Sequence, residues 1–131
     1  MRIRIVSSRD EINTLEAGEI IIHLAFRPSN KDIFALVKTC PNVKAIHIPA
    51  SYINSTSMLL DMQGIDLLEG DVWGHRKDIN EYSEINPKIF DRMKELMEQG
   101  LSEPDLLGKL GRETQLSNDL LKFLLKRKVK K

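Results

Sequence analysis

The sequence has little cysteine and no long apolar stretch. Cys40 is the single cysteine among 131 residues, which excludes an internal disulfide framework and a zinc site built from several cysteines. No run of about 18 apolar residues is present to span a membrane. Residues 1–6 alternate Arg with Ile in a strand pattern and do not resemble a signal peptide. We therefore expect a cytoplasmic protein without a membrane partner.

Net charge is also small, but it is unevenly distributed. The chain carries 20 Lys and Arg against 19 Asp and Glu, a net of +1. Residues 86–131 hold 11 basic and 7 acidic residues, a net of +4, whereas residues 1–85 hold 9 and 12, a net of −3. This asymmetry is typical of a two-part protein with a basic nucleic-acid face. It also fits a Lys-rich, solvated C-terminal tail.

The C-terminal third predicts three short helices, and the second and third fit a helix-turn-helix. Asn86-Pro87 opens the first helix, while Ser102 and Ser117 are N-caps for the second and third. Gly111 is a small residue that would allow the second helix to approach the third. The seam between these two helices is expected to contain Leu110, Leu116, Leu121 and Leu124.

If this unit docks on DNA, its third helix enters the major groove. The residues expected to contact base edges or phosphates are Asn118, Lys122, Lys126, Arg127 and Lys128. Two features depart from the template: Gln115 occupies a turn position that usually holds Gly, and Asp119 places an anion on the approaching face. Three-helix bundles that only pack or dock on proteins also satisfy the template.

The N-terminal two thirds predict a βα repeat. Residues 40–48 end in the spacing apolar-x-x-apolar-x-apolar, which resembles a leucine-rich repeat, and residues 22–24 and 65–70 fill similar positions. Helical patterns over 29–39 and 55–63, and a short one near 10–15, lie between the strands. Such connections predict a parallel sheet. We expect a curved stack with one open face; the alternative is a three-layer α/β sheet.

A row of polar residues is the one constellation predicted in this part. The repeat register places Arg4, His23, His47 and Glu69 side by side across the open face. Such a row can bind an anion, respond to pH or ligate a metal through its histidines. It is equally the polar side of a one-sided sheet. No nucleophile with its base, and no pair of carboxylates in a pocket, points to an enzyme or a cofactor.

The stretch 68–82 is predicted to be a loop. It contains Trp73, the single Trp, and a charged run in which His75, Arg76 and Lys77 are candidate anion donors. The interpretation that we favour is an interdomain joint, in which Trp73 is buried as an anchor and the charges pair with each other. Cys40, ahead of Pro41, is interpreted as a small buried hydrophobe.

Three stretches, 23–34, 40–52 and 68–82, together with the helical end, resemble a family of small uncharacterised proteins of methanogenic archaea. The most distinctive part is Gly-Asp-Val-Trp-Gly-His-Arg-Lys-Asp at 70–78. The resemblance implies an archaeal cytoplasmic setting. It brings no established activity, so it assigns no catalytic residue.

The sequence therefore predicts an α/β protein: a short leucine-rich-like βα repeat with a parallel sheet over 1–85, followed by a helix-turn-helix bundle over 86–131. We expect it to bind double-stranded DNA, with a role in transcription regulation, on an exposed face of a protruding third helix. A homodimer is expected, because one recognition helix offers few contacts. The alternative is a non-enzymatic module whose open sheet face binds a protein partner while the helices cap the stack.

Overall fold

The computed structural model describes residues 2–55, 64–70 and 82–129, and these form a sheet covered on both faces. The strands are β1 Arg2–Val6, β2 Ile21–Leu24, β3 Ala45–Ile48, β4 Asp66–Glu69 and β5 Tyr82–Glu84. The α-helices are α1 Asn30–Thr39, α2 Lys88–Glu98, α3 Glu103–Thr114 and α4 Asn118–Val129. Two 3₁₀ helices span Arg9–Thr14 and Ala50–Ser55.

The sheet confirms the predicted parallel arrangement. Its strand order is β4-β3-β2-β1-β5, and β1 to β4 are parallel, each beside the strand that follows it in sequence. The fifth strand was not predicted. It pairs antiparallel with β1, with Tyr82 opposite Arg4, and its three residues are too few to show a strand pattern.

One face of the sheet is covered by the segments that connect the strands. Side chains of α1 and of the first 3₁₀ helix, such as Ile33, Leu36 and Ile12, pack there. Ser29 fixes the start of α1: its hydroxyl accepts from the Asp32 N–H, and the Asp32 carboxylate accepts from the Ser29 N–H. The strand residues of this face are Val6, Ile22, Leu24, Ile46 and Ile48.

The opposite face, predicted to be open, is covered by the C-terminal helices. Strand residues such as Ile3, Ile5 and Ile21 share a core there with the apolar stripes of α2, α3 and α4. All four residues of β2 and of β3 are buried, as is usual for parallel strands covered on both sides. The prediction of an open face is therefore wrong for the described residues, and a protein partner expected on that face loses the surface that it would bind.

Most of the predicted helix boundaries agree with the structure. The Asn86 side-chain oxygen accepts from the Lys88 N–H at the start of α2, and Ser102 accepts from the Asp105 N–H in α3. The helix expected over 55–63 lies almost wholly outside the described residues. Within the ranges described, no helix is long and apolar enough to cross a bilayer. The proposed division at residue 85 stays a prediction.

Cys40 is buried, as its sequence context predicts. Its side chain is 0% exposed, and its thiol donates to the Glu16 carbonyl oxygen at 3.3 Å. Burial, with a smaller contribution from the charge of Glu19, raises the pKa of the Cys40 thiol from 9.0 to about 11. The neutral thiol is therefore favoured in the folded chain.

We expect Ellman's reagent at pH 8 to modify Cys40 at least about 100-fold more slowly in the folded protein than in denaturant, because both access and thiolate are suppressed. The folded pKa lies above the unfolded one. The contribution of the neutral thiol to the free energy of unfolding is therefore complete below pH 9, and it is lost as the pH rises from 9 towards about 11. Fast modification of the native protein would contradict this assignment.

Candidate nucleic-acid interface and the polar chain behind it

The helix-turn-helix consists of α3 and α4, joined by residues 115–117. Leu110, Leu121 and Leu124 are fully buried between the helices and the sheet. A Cβ on Gly111 would lie 3.9 Å from the Leu121 Cδ1 and 3.8 Å from the Leu116 carbonyl oxygen, which is ordinary contact. The helices therefore pack as predicted, although their approach does not require glycine.

The turn adopts a conformation that usually holds glycine. Gln115 has φ 62° and ψ 16°, in the left-handed region, and its N–H donates to the Gly111 carbonyl oxygen at 2.8 Å. A side chain in this region carries a steric cost. Gln115 therefore adopts the left-handed conformation that glycine usually has at this position of the turn, and the turn is kept.

The outer side of α4 presents three of the predicted DNA contacts. Asn118, Lys122 and Lys126 are exposed at positions i, i+4 and i+8, which lie on one side of a helix. We call these residues the exposed stripe. The prediction that this helix protrudes is wrong, because Leu120, Leu121 and Leu124 hold its inner side in the core shared with the sheet. The stripe therefore faces outward from a docked helix.

The other two predicted contacts lie further along α4. Arg127 is half-buried, and its guanidinium carbon lies 5.7 Å from the centre of the Phe123 ring. The backbone of Lys128 belongs to the helix, but its side chain is outside the described part. Lys122 and Lys126 also border a groove of about 330 Å³, whose other wall is formed by Ile65 and by residues 66–68 of β4.

The start of α4 is bound to the end of β4. The Glu69 N–H donates to the Asp119 Oδ2 at 2.8 Å. Asp119, which the sequence placed as an unfavourable anion on the DNA face, therefore acts as an anchor between the helix and the sheet. Next to this contact, Gly70 has φ 153°, and a Cβ on it would lie 2.3 Å from the Ser117 Cβ.

Behind this contact lies a chain of three hydrogen-bonded side chains. The Nδ1 atoms of His23 and His47 are 2.8 Å apart, and the Nε2 of His47 lies 2.8 Å from the Ser117 Oγ. The Ser117 Oγ also accepts from the Leu120 N–H at 3.2 Å, which confirms the predicted N-cap. His23 and His47 are 2% and 0% exposed. We call Ser117, His47 and His23 the polar chain.

The predicted polar row is wrong for Arg4 and Glu69, which do not lie beside the two histidines. His23 and His47 are opposite each other, but their row continues with Ile5 and Leu68. Arg4 pairs with Ile22, one position earlier, so its side chain lies on the other face.

Arg4 and Glu69 have their own surroundings. The Arg4 Nε lies 3.9 Å from the Glu19 Oε2, and its guanidinium carbon is 5.2 Å from the centre of the Tyr82 ring. Glu69 pairs with Ile48 and is exposed. A metal or ligand held jointly by His23, His47 and Glu69 is therefore not supported.

Two hollows adjoin the polar chain at Ser117: a cleft on the β4 side, and a smaller hollow of about 410 Å³ lined by Gly111, Gln115, Leu116 and Ser117. The cleft has a volume of about 530 Å³ and is lined by Pro49, Ala50, Glu69, Gly70, Ser117, Asn118 and Asp119. The candidate anion-binding residues His75, Arg76 and Lys77 lie outside the described residues. No local sequence pattern predicts the contact between His47 and Ser117, which are 70 residues apart.

The chain belongs to the DUF1699 family, whose two models match most of its length. A model described as the N-terminal domain of a family of unknown function (DUF1699) matches residues 2–81. A second, described as the DUF1699 C-terminal HTH domain, matches residues 88–126. The helix-turn-helix assignment of the C-terminal part is thus supported independently of its geometry. Comparisons with curated proteins and with solved structures gave no match.

We expect Gly70→Ala to lower the free energy of unfolding by at least about 2 kcal/mol, because the added Cβ meets Ser117 and the backbone is in a region unfavourable for alanine. Urea denaturation measures the change. Gly108→Ala is the control: it lies in α3 with nothing within 4 Å of the added atom, so it should raise stability by up to about 1 kcal/mol. A neutral Gly70→Ala variant would show that β4 and α4 are not in tight contact.

Gln115→Gly should raise the free energy of unfolding by about 1 kcal/mol, because glycine relieves the cost of the left-handed conformation. Gln99→Gly is the matched control, since Gln99 follows α2 with φ −75° and gains nothing from glycine. Equal effects at the two positions would contradict the assigned turn.

Proposed function

We propose that the protein binds double-stranded DNA through α4 of its helix-turn-helix. The observation that carries this proposal is the exposed stripe: a polar and two basic side chains lie outward on the second helix of the motif. Recognition helices present such residues to base edges and phosphates while their apolar side packs on the preceding helix. The family description of the C-terminal part as an HTH domain supports the same function.

The charges around the stripe are compatible with this role. Residues 86–131 carry a net charge of +4, and phosphate contacts depend on such basic side chains. Asp119, the one acidic residue of α4, accepts from the Glu69 N–H, so its carboxylate is held at the sheet. The one carboxylate on α4 therefore has a structural partner.

Each residue of the stripe has a proposed task. Asn118, at the start of α4, is proposed to read a base edge, since amide side chains pair with adenine. Lys122 is proposed to contact a base or phosphate at the next turn. Lys126, with Arg127 and Lys128, is proposed to hold phosphates. We extend the proposal to a cytoplasmic transcription regulator that binds as a homodimer, because a single recognition helix gives limited specific affinity.

The test is a fluorescence anisotropy titration with double-stranded genomic fragments at about 50 and about 200 mM salt. Wild-type binding should weaken steeply between the two salt concentrations. The Lys122→Ala, Lys126→Ala double variant should bind at least about tenfold more weakly at the lower salt. Its plot of log K against log salt should be shallower by about 2, one phosphate contact for each lysine.

A Lys31→Ala, Lys38→Ala variant is the matched control. It makes the same change in charge on α1, which packs on the opposite face of the sheet, and should bind DNA as the wild type does. Equal loss in both double variants would reduce the interaction to net charge, and no binding at low salt would contradict the proposal. Stronger competition by duplex RNA of the same sequence would make RNA the target.

A further inference from the structure

We propose that the polar chain is also a nucleophilic site, in which Ser117 attacks a small neutral carboxylic ester, His47 is its general base and His23 is a positioning residue. This activity is separate from DNA binding. It rests on the order of the three side chains and on the cleft beside the first of them.

The geometry has the parts that an activated serine requires. A hydroxyl becomes a good nucleophile when a neighbouring base accepts its proton and a third group orients that base. The Ser117 Oγ lies 2.8 Å from the His47 Nε2, and the other ring nitrogen of His47 lies 2.8 Å from the His23 Nδ1. Both distances are hydrogen-bonding distances.

The hydrogen bond between the histidines fixes a consistent arrangement of protons. Only one proton fits between two Nδ1 atoms at 2.8 Å. When the His47 Nδ1–H donates to His23, the His47 Nε2 carries no proton and accepts a hydrogen bond from the Ser117 hydroxyl. His47 keeps its bond to neutral His23 when it takes the serine proton, so the imidazolium is stabilised as it forms.

The N-cap contact leaves the Ser117 hydroxyl competent. The Leu120 N–H donates to the Ser117 Oγ at 3.2 Å and uses one lone pair of the oxygen. A hydroxyl has a second lone pair and one proton. Asn118 and Asp119 follow Ser117 as the first residues of α4, and a helix gives its first N–H groups no intrahelical acceptor. They can donate to an oxyanion that forms beside Ser117.

The cleft determines the class of substrate. Ser117 forms part of its lining, together with the small residues Pro49, Ala50 and Gly70. The volume of about 530 Å³ is within the range of small-molecule sites. Glu69 and Asp119 also line the cleft and disfavour an anionic substrate. A short, uncharged ester satisfies these limits.

The reaction balances with the substrate and water alone. Ser117 Oγ attacks the ester carbonyl carbon and its proton moves to the His47 Nε2. The bond to the leaving alkoxide breaks, and the alkoxide takes that proton and departs as an alcohol. Water then attacks the acyl-serine and gives a proton to His47. The tetrahedral intermediate then breaks down: the acid leaves, and the proton on His47 returns to the Ser117 Oγ.

The test uses diisopropyl fluorophosphate, a small uncharged reagent that phosphorylates activated serines with loss of fluoride. Intact mass and peptide mapping of the full-length protein should show one modification, at Ser117, formed at least about 100-fold faster than at Ser102. Ser102 is the internal comparison because it caps α3 in the same way. Ser117→Gly should not be modified; glycine is an acceptable N-cap, so the variant should remain folded.

His23 is tested by a conservative and an apolar variant. His23→Gln can still accept from the His47 Nδ1 and should retain modification within about tenfold of wild type, whereas His23→Leu should lose at least about 100-fold. Thermal unfolding checks that both are folded. No modification of the wild type, modification at a residue other than Ser117, or equal rates in the two variants would overturn the proposal.

Discussion

The sheet of this protein has two apolar faces, and its own connections cover only one of them. The second face is covered by α2, α3 and α4, whose leucine and methionine side chains meet Ile3, Ile5, Ile21, Ala45 and Leu68. Exposing this face would leave a large apolar area in water, at about 25 cal/mol for each Å². The helices are therefore part of the core of the sheet. The position of the helix-turn-helix depends on this packing.

This packing accounts for the two polar parts of α4, which are its outer side and its first residues. Its apolar side fills the core, and its outer side carries the exposed stripe. Its first residues meet the end of β4, where Asp119 accepts from the Glu69 N–H and Ser117 contacts His47. Because α4 is held at both its apolar side and its N-terminus, it is fixed relative to the sheet, which would give the proposed DNA interface a defined docking geometry.

The features predicted from the sequence are those with local signals. The caps at Ser29, Ser102 and Ser117 and the parallel strands follow from spacing and residue type. The open face and the polar row failed for a different reason. Successive side chains of a strand alternate between the two faces, so residues on neighbouring strands can be assigned to one face only when the register between the strands is known. The actual register differs from the predicted one by one residue at β1, and Arg4 therefore lies on the opposite side of the sheet from His23. The His47–Ser117 contact is tertiary, so neither local sequence carries a signal for it.

The two proposals meet at the start of α4, where they use neighbouring residues. DNA binding requires the helix axis and the stripe that begins at Asn118; ester attack requires the Ser117 hydroxyl and the cleft on the β4 side. An acyl group on the Ser117 Oγ cannot extend towards Gly70, because a Cβ there would already lie 2.6 Å from that oxygen. An acyl group that extends into the cleft meets a lining that includes Asn118. Acylation would therefore place new atoms beside the first residue proposed to read DNA.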